Sequence, residues 1–552
     1  MSENATTQVD AVVIGAGFSG LFATYRLRES GLSVRAFDAA SEVGGVWTWN
    51  RYPGARTDSL HMTYCYSFDK DLLNEWAYSE VNPRQPEVLS YLKHVADRFD
   101  LNQHYTFDTK VVSAHFNEGT GRWDITTDGG ETLSATYFVT GLGLVSAPLL
   151  PTAGGLDSFQ GELYHTAQWP HHDVDFTGKR VAVIGTGSSG VQLVSTIREQ
   201  VGELTVFQRT ANWVAATPNR PVTDEEIAEI RGNYDVLWNR VRNHPAGWPW
   251  EFTGRNAVDT DPQERDRIFE EKWNEGGFAL LYNAFDDLST DKAANDLLCE
   301  FMRNKIQTII DDPIVAAKLT PTHPYGAKRP PTSDGYYEAF NQPNVELVDL
   351  RATPIEEFTE KGIRTSAGEH EFDMIVLATG FDAITGAFTR MDIRGLGDRD
   401  LNEYWSDGPK TYLGLSVPGF PNMFTVAGPQ TPFANLPPGA QHQGAWIDSA
   451  IAWMKANGTS FMQPSEEAAE KWTALCNEIA ESLPATSVAA EANSWFTGAN
   501  VEGKTVAYNI YFGGAGSHGD LCDSEAAEGF PSFVKATDVD ELKAAASAAL
   551  PA

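Results

Sequence analysis

Two short runs of the sequence carry glycines at a spacing that leaves backbone N–H groups uncovered, Gly15-Ala16-Gly17-Phe18-Ser19-Gly20 and Gly185-Thr186-Gly187-Ser188-Ser189-Gly190. Each follows an apolar run, Ala11-Val12-Val13-Ile14 in the first case and Val181-Ala182-Val183-Ile184 in the second, so each reads as strand, tight turn and helix start. Such a turn brings backbone amides close to a pyrophosphate, and the helix N-terminus favours its negative charge. The residues that end the next strands differ. The strand at 33–37 ends at Asp38, whose carboxylate accepts hydrogen bonds from ribose hydroxyls and repels a 2′-phosphate. The strand at 203–207 runs into Gln208-Arg209-Thr210, where a guanidinium beside a hydroxyl suits a 2′-phosphate. One chain thus offers two dinucleotide sites, the first suited to FAD and the second to NADPH rather than NADH.

The elements around these loops follow the same plan. A helix is expected over 19–30, with Leu21, Phe22, Tyr25 and Leu27 as its apolar positions and Gly31 ending it. Between Val111 and Thr140 the residues alternate around Asp128-Gly129-Gly130, which predicts an antiparallel excursion that returns to the parallel sheet. From 221 to 321 the strand pattern stops. Thr223 with Glu226 forms a capping-box signature, and Leu297, Leu298, Phe301, Met302, Ile309 and Ile310 recur at helical spacing. Trp238, Trp248, Trp250 and Trp273 read as packing of that helical stretch. The parallel pattern resumes with Val345-Glu346-Leu347 and at 372–377, ending in Ala378-Thr379-Gly380-Phe381-Asp382.

The fold class is therefore α/β, two Rossmann-like dinucleotide-binding domains with a helical insertion in the second. The expected divisions are a first FAD-binding part at 1–145, a connector at 146–175, and a first NADP-binding part at 176–220. The insertion follows at 221–328, then a second NADP-binding part at 329–381. Residues 382–552 return to the FAD domain, because the flavin ring needs a floor, and close in a C-terminal segment whose 538–543 stretch is a peripheral helix or frayed end.

Composition narrows the function classes. The 552 residues carry a net charge of −34 and 42% hydrophobic residues, enough apolar material for two or three cores. That charge repels nucleic acid and anionic membranes. Cys65, Cys299, Cys476 and Cys522 are scattered, which excludes a sequence-evident metal site and the adjacent pair of a disulfide reductase. Met1-Ser2-Glu3-Asn4 has neither a basic region nor an apolar core, and no apolar run approaches the roughly 20 residues that span a bilayer. The expectation is a cytoplasmic monomer or weak homo-oligomer.

The stretch between the two loops reads Phe159-x-Gly161-x-x-x-His165-x-x-x-Trp169-Pro170. With Gly44-Gly45-Val46-Trp47, Tyr52-Pro53-Gly54, Asp58, Ala327-Lys328-Arg329-Pro330, Gly428-Pro429 and Ser494-Trp495-Phe496-Thr497-Gly498, it resembles the type I Baeyer-Villiger monooxygenases of the cyclohexanone monooxygenase kind over nearly the full length. The resemblance implies that FAD, NADPH and O2 convert ketones, expected to be cyclic, to esters or lactones through a C4a-peroxyflavin. It implies Arg329 as the catalytic cation and Asp58 as its partner. It places Gly45, Val46, Trp47, Arg56, Thr57, Asp58, Tyr64, Val111, Gln192, Ala378, Thr379 and Gly380 with the two loops at the cofactors, and Lys328 with Arg209 and Thr210 at the 2′-phosphate of NADPH. Trp495 is expected to close over the nicotinamide from a mobile segment with Gly513-Gly514-Ala515-Gly516 downstream. Pro432, Phe433, Asn435 and Leu436 are candidates for the substrate wall, with a small Ala434 among them. His165, on the connector rather than at a strand end, is given a structural or hinge role. The alternatives are an N- or S-oxidising flavin monooxygenase and a non-catalytic flavin-binding protein.

Overall fold

Four successive apolar residues predict a strand covered on both faces, and β1 (Thr7–Ile14) is one. Ala11 and Val13 enter one core and Val12 and Ile14 the other, all of them buried. The computed structural model describes residues 7–548, so Met1-Ser2-Glu3-Asn4 and the last residues of the tail lie outside them. After β1 come α1 (Phe18–Glu29), β2 (Val34–Phe37), β3 (Tyr105–Thr106) and the excursion β4 (Val111–Asn117), β5 (Arg122–Thr127) and β6 (Thr132–Thr140). The β4–β5 and β5–β6 pairs are antiparallel, and β6 then returns parallel to β1 with Phe138 opposite Val12.

The second unit holds β7 (Glu162–His165), β8 (Arg180–Ile184), α2 (Ser188–Ile197) and β9 (Glu203–Gln208). Next, β10 (Ala215–Ala216) pairs in parallel with β11 (Thr332–Ser333), and the helices between them form the insertion, tied at its base by this short ladder. Then follow β12 (Val345–Asp349), a meander of β13 (Ile355–Thr359), β14 (Gly362–Thr365) and β15 (Gly368–Glu371), and β16 (Met374–Leu377). The five-stranded parallel sheet runs β12-β9-β8-β16-β7. Past Asp382 the chain rejoins the first sheet. There β17 (Asp392–Arg394) pairs with β4 and β18 (Met423–Thr425) with the C-terminal half of β6, giving the order β17-β4-β5-β6-β1-β2-β3 with β18 beside β6. Helix α3 (Leu436–Ala456) then packs on α1.

Two expectations change, and one alternative is decided. The connector is not all linker: β7 is the edge strand of the second sheet, with His165 opposite Leu377 of β16. His165 is therefore the last residue of a strand. An edge strand pairs on one side only, and Glu162 to Tyr164 are not buried, so its apolar signal is weak. The β13–β15 meander was not expected. Of the two alternatives for 538–543 the peripheral helix holds: Val539–Ala548 is helical, and its Leu542 is buried against the first sheet. Among the described residues no helix is long and apolar enough to cross a membrane.

Candidate active site

One continuous cavity of about 1500 Å3 runs between the two sheets, and both glycine loops open into it. Gly15 turns the chain from β1 into α1 at φ +103°, where a Cβ would lie 2.3 Å from the Gly141 carbonyl oxygen. Gly17 and Gly187 occupy the N-cap positions of α1 and α2, with no capping side chain and no acid in either first turn. The uncapped N–H groups are left for a ligand, which is what a pyrophosphate requires. Gly20 and Gly190, expected at the cofactors, do not line the cavity. A Cβ on Gly20 would meet the Gly15 carbonyl oxygen at 1.7 Å and one on Gly190 the Gly185 carbonyl oxygen at 2.1 Å, so these two glycines let each helix sit against its own loop.

Asp38 stands at the end of β2, half-buried, and accepts from Ala16 N at 2.6 Å and from Ala40 N at 2.7 Å. Burial raises its carboxyl above the usual range against the pull of those two amides. The carboxylate therefore knits the loop together on the cavity wall, with lone pairs left for a ribose. Gly45, Val46, Trp47, Arg56, Thr57, Tyr64 and Val111 line the same region. Tyr64 packs edge-on to Trp47 with centroids 5.7 Å apart, and its burial holds the phenol well above the ordinary range.

The second loop is flanked by cations. Arg209, Thr210 and Lys328 line the cavity, and Arg351 on the turn after β12 donates from Nη2 to Thr210 Oγ1 at 3.3 Å. Arg351 was not foreseen. Among the described residues none of Arg209, Lys328 and Arg351 is ion-paired to a carboxylate, although the chain has 75 acids against 41 Lys and Arg. Burial first, and then the neighbouring Arg209 and Arg351 charges, push the Lys328 amine down to about 8. Such crowding is unfavourable until an anion enters, so the cluster fits a phosphate.

Arg329 lies where the insertion ends, just before β11. Its Nη2 is ion-paired to Asp58 Oδ2, its Nη1 donates to Ser188 Oγ at 2.8 Å, and its backbone carbonyl accepts from Asn212 Nδ2 at 2.9 Å. Asp58, 4% exposed at its side chain, also accepts from Thr332 Oγ1 at 3.1 Å. The pair joins the segment after Pro53 to the second loop. Tyr52 binds it again from below, donating to Gln192 Oε1 at 2.8 Å, while Gln192 Nε2 donates to the Arg56 carbonyl at 3.2 Å. Phe278 stands 5.7 Å from the Arg329 guanidinium carbon, and Trp248, 5.3 Å from Phe278, lines the cavity with it. Trp248 and Phe278 were missed as site residues, because an aromatic in a helical stretch reads as core. Of the other tryptophans, Trp273 lies in the insertion's own core and Trp238 packs against that of the first sheet.

Phe433, Asn435 and Leu436 line the cavity, but the Asn435 amide is turned into the protein, donating to the Thr63 carbonyl at 2.8 Å and accepting from Ser59 Oγ at 3.1 Å. Trp495 lines it too, packed edge-on to Phe433 at 5.7 Å. The glycines downstream lead into a helix. Gly514 precedes a helix, Ala515–Ala527, and a Cβ there would lie 3.1 Å from Pro245, one on Gly516 3.0 Å from the Arg242 carbonyl oxygen. Ala378, Thr379 and Gly380 cap β16 at the cavity. His165 does not line it. Its Nδ1 accepts from Ala167 N at 3.0 Å, which leaves Nε2 to donate to the Leu149 carbonyl at 3.1 Å, and burial lowers its pKa. Trp169 is buried, stacks on Phe176 at 6.2 Å and donates its backbone N–H to the Trp49 carbonyl at 3.2 Å, tying the two units together.

Residues 8–221 match the family described as flavin-binding monooxygenase-like. The chain is 45% identical over 540 residues to a Baeyer-Villiger monooxygenase of Pseudooceanicola batsensis, covering 97% of this chain and 98% of that one. It is 41% identical over 547 residues to a phenazine N-monooxygenase of Lysobacter antibioticus, covering 99% and 100%. Among solved structures, the cyclohexanone monooxygenase from Rhodococcus sp. Phi1 bound to NADP+ superposes with a TM-score of 0.93 at 43% identity, covering 96% of this chain and 99% of that one.

Proposed function

The chain belongs to the Baeyer-Villiger monooxygenases, and from that membership we propose how its own residues bring about the oxidation of a ketone to an ester or lactone. FAD and NADPH are its cofactors; bound, they supply the hydride and, with O2, the inserted oxygen atom. The residues' part is electrostatic. The Arg329 guanidinium, held in the cavity by Asp58 and Ser188, stabilises negative charge that develops on the ketone oxygen. Asp58 aims the guanidinium, and Ser188 holds its other nitrogen on the second loop. The α1 and α2 N-termini take the two pyrophosphates, Asp38 the ribose of FAD, and Arg209, Thr210 and Lys328 the 2′-phosphate of NADPH. Phe278, Trp248, Phe433 and Leu436 exclude water and hold the apolar body of the ketone, which we take to be cyclic. Trp495 covers the nicotinamide side.

The observation that carries this reading is the Asp58–Arg329 pair seated where the two dinucleotide clefts meet. A panel of cyclic, linear, aryl and steroidal ketones with NADPH, read by gas chromatography, is expected to yield esters. Arg329→Ala is expected to retain FAD and consume NADPH without ester; ester at the wild-type rate from that variant would falsify the assignment.

The Lysobacter relative favours a second reading, N-oxidation. There the substrate nitrogen is the nucleophile and no fixed cation is needed at a ketone oxygen. Offering cyclohexanone and phenazine in parallel separates the two, since N-oxide formation would survive loss of Arg329. Four buried, unpaired cysteines fit the reducing cytoplasm, and the charge of −34 opposes self-association beyond a weak homo-oligomer.

A further inference from the structure

A second cavity, of about 510 Å3, lies on the far side of the substrate wall. It shares Leu144, Ala434, Asn435 and Leu436 with the main cavity, and none of the glycine-loop residues line it, so it is not cofactor space. Phe22, Phe68, Trp238 and Val241 make its walls apolar. The charged groups on its boundary are already matched: Arg242 is ion-paired to Asp523 at 2.6 Å and Arg26 to Asp448 at 2.5 Å. Arg242 is exposed, so the cavity reaches from the surface to the wall. Of the four residues shared by the two cavities, Asn435 is pinned by its bonds to Thr63 and Ser59, and Ala434 carries the smallest side chain, a single methyl.

We propose that this second cavity receives the apolar chain of a long-chain ketone whose carbonyl lies beside Arg329, the chain passing Ala434. The inference rests on the ketone reading given above. The chemistry is that of any alkyl chain: each methylene packed against Phe22, Phe68, Trp238 and Val241 leaves water, and the polar residues that also line the cavity, Ser67, Gln441 and His442 among them, contribute nothing to it. A compact cyclic ketone would not reach it.

Gly439 tests this without touching the main cavity. It lines only the second cavity, and a Cβ there meets nothing within 4 Å, so Gly439→Trp places an indole in open space. Ala445→Phe fills the same cavity from α3. With FAD-loaded enzyme and NADPH, both variants are expected to lose about tenfold or more in kcat/KM for 2-dodecanone, the loss of roughly two buried methylenes, with less than about twofold change for cyclohexanone. The dissociation constant of 2-dodecanone, by calorimetry on the enzyme with FAD and NADP+, is expected to rise in step. Wild-type kinetics with 2-dodecanone in either variant that holds FAD, equal loss for both ketones, or a wild type that oxidises cyclohexanone but not 2-dodecanone would each overturn the inference. Ester from neither ketone in the wild type would instead overturn the ketone reading, and this inference with it.

Discussion

Removing Arg209 is the sharpest probe of the cation cluster, because its loss should separate NADP+ from NAD+ and shift the pH dependence of NADP+ affinity. Among the described residues none of Arg209, Lys328 and Arg351 is ion-paired to a carboxylate, and the Lys328 amine is pushed down to about 8 by burial and by the two guanidiniums. A charge-assisted hydrogen bond to phosphate contributes about 1.5–3 kcal/mol, so Arg209→Ala should weaken NADP+ by about 10- to 100-fold. NAD+ lacks the phosphate and should change little. The sign with pH follows from Lys328. Its charged form holds the anion, so affinity is full below about 8 and falls as pH rises through that value, by about one decade per unit until the pKa of the bound state is reached. The phosphate itself is already a dianion above about pH 7, so the trend belongs to the protein. In Arg209→Ala one of the charges that lowers the amine is gone, and the decline should begin at higher pH. Calorimetry of NADP+ and NAD+ from pH 7 to 10, in buffers of different ionisation enthalpy, reads affinity and proton uptake together. Equal weakening of both nucleotides, or a flat NADP+ affinity across that range in the wild type, would refute the reasoning.

Other substitutions probe the remaining contacts. Arg351→Ala should cost NADP+ only a few-fold, and less at high salt, since its side chain is exposed and its field is screened; a loss as large as that of Arg209→Ala would place it inside the site instead. Asp58→Asn keeps an acceptor for Thr332 but removes the charge that aims Arg329, so ester formation should fall about 10- to 100-fold with FAD content unchanged; unchanged ester yield per NADPH would leave the pair a plain link between the units. Trp169→Ala removes a buried ring stacked on Phe176, which should cost about 3–5 kcal/mol in unfolding experiments and lower the ester formed per NADPH; full coupling would reduce Trp169 to packing. Gly15→Ala sets a Cβ 2.3 Å from the Gly141 carbonyl oxygen at positive φ, and the purified protein should lack flavin absorbance.

Why some of this could be read from residue order and some could not follows from where the information lies. The two Rossmann units are legible because strand, turn and helix start are all local. Ala11 to Ile14 can be buried on both faces only in a covered parallel strand, and Gly15 is demanded by a turn within the next residue. The acid after β2 and the Arg after β9 are equally local, each following its strand directly. The meander β13–β15 gave a weaker signal, since Arg364 and Glu369 face solvent and Phe358 and Ile363 are its only buried apolar side chains. Asp58 and Arg329 meet only because the insertion folds back on β10 and β11, so no spacing announces the pair. Trp248 shows the limit from the other side. A buried aromatic in a helical stretch carries the same pattern whether it faces a core or a cavity, and only the position of Phe278 against Arg329 assigns it to the site. Arg351 is the harder case. An Arg on a turn looks like any surface cation, and what marks it is that, among the described residues, its guanidinium is ion-paired to no carboxylate in a protein that carries an excess of acids. That is a property of the assembled fold, where three cations far apart in the chain gather while, among the described residues, none of them is ion-paired to a carboxylate, and such a place is shaped for an anion the chain itself does not supply.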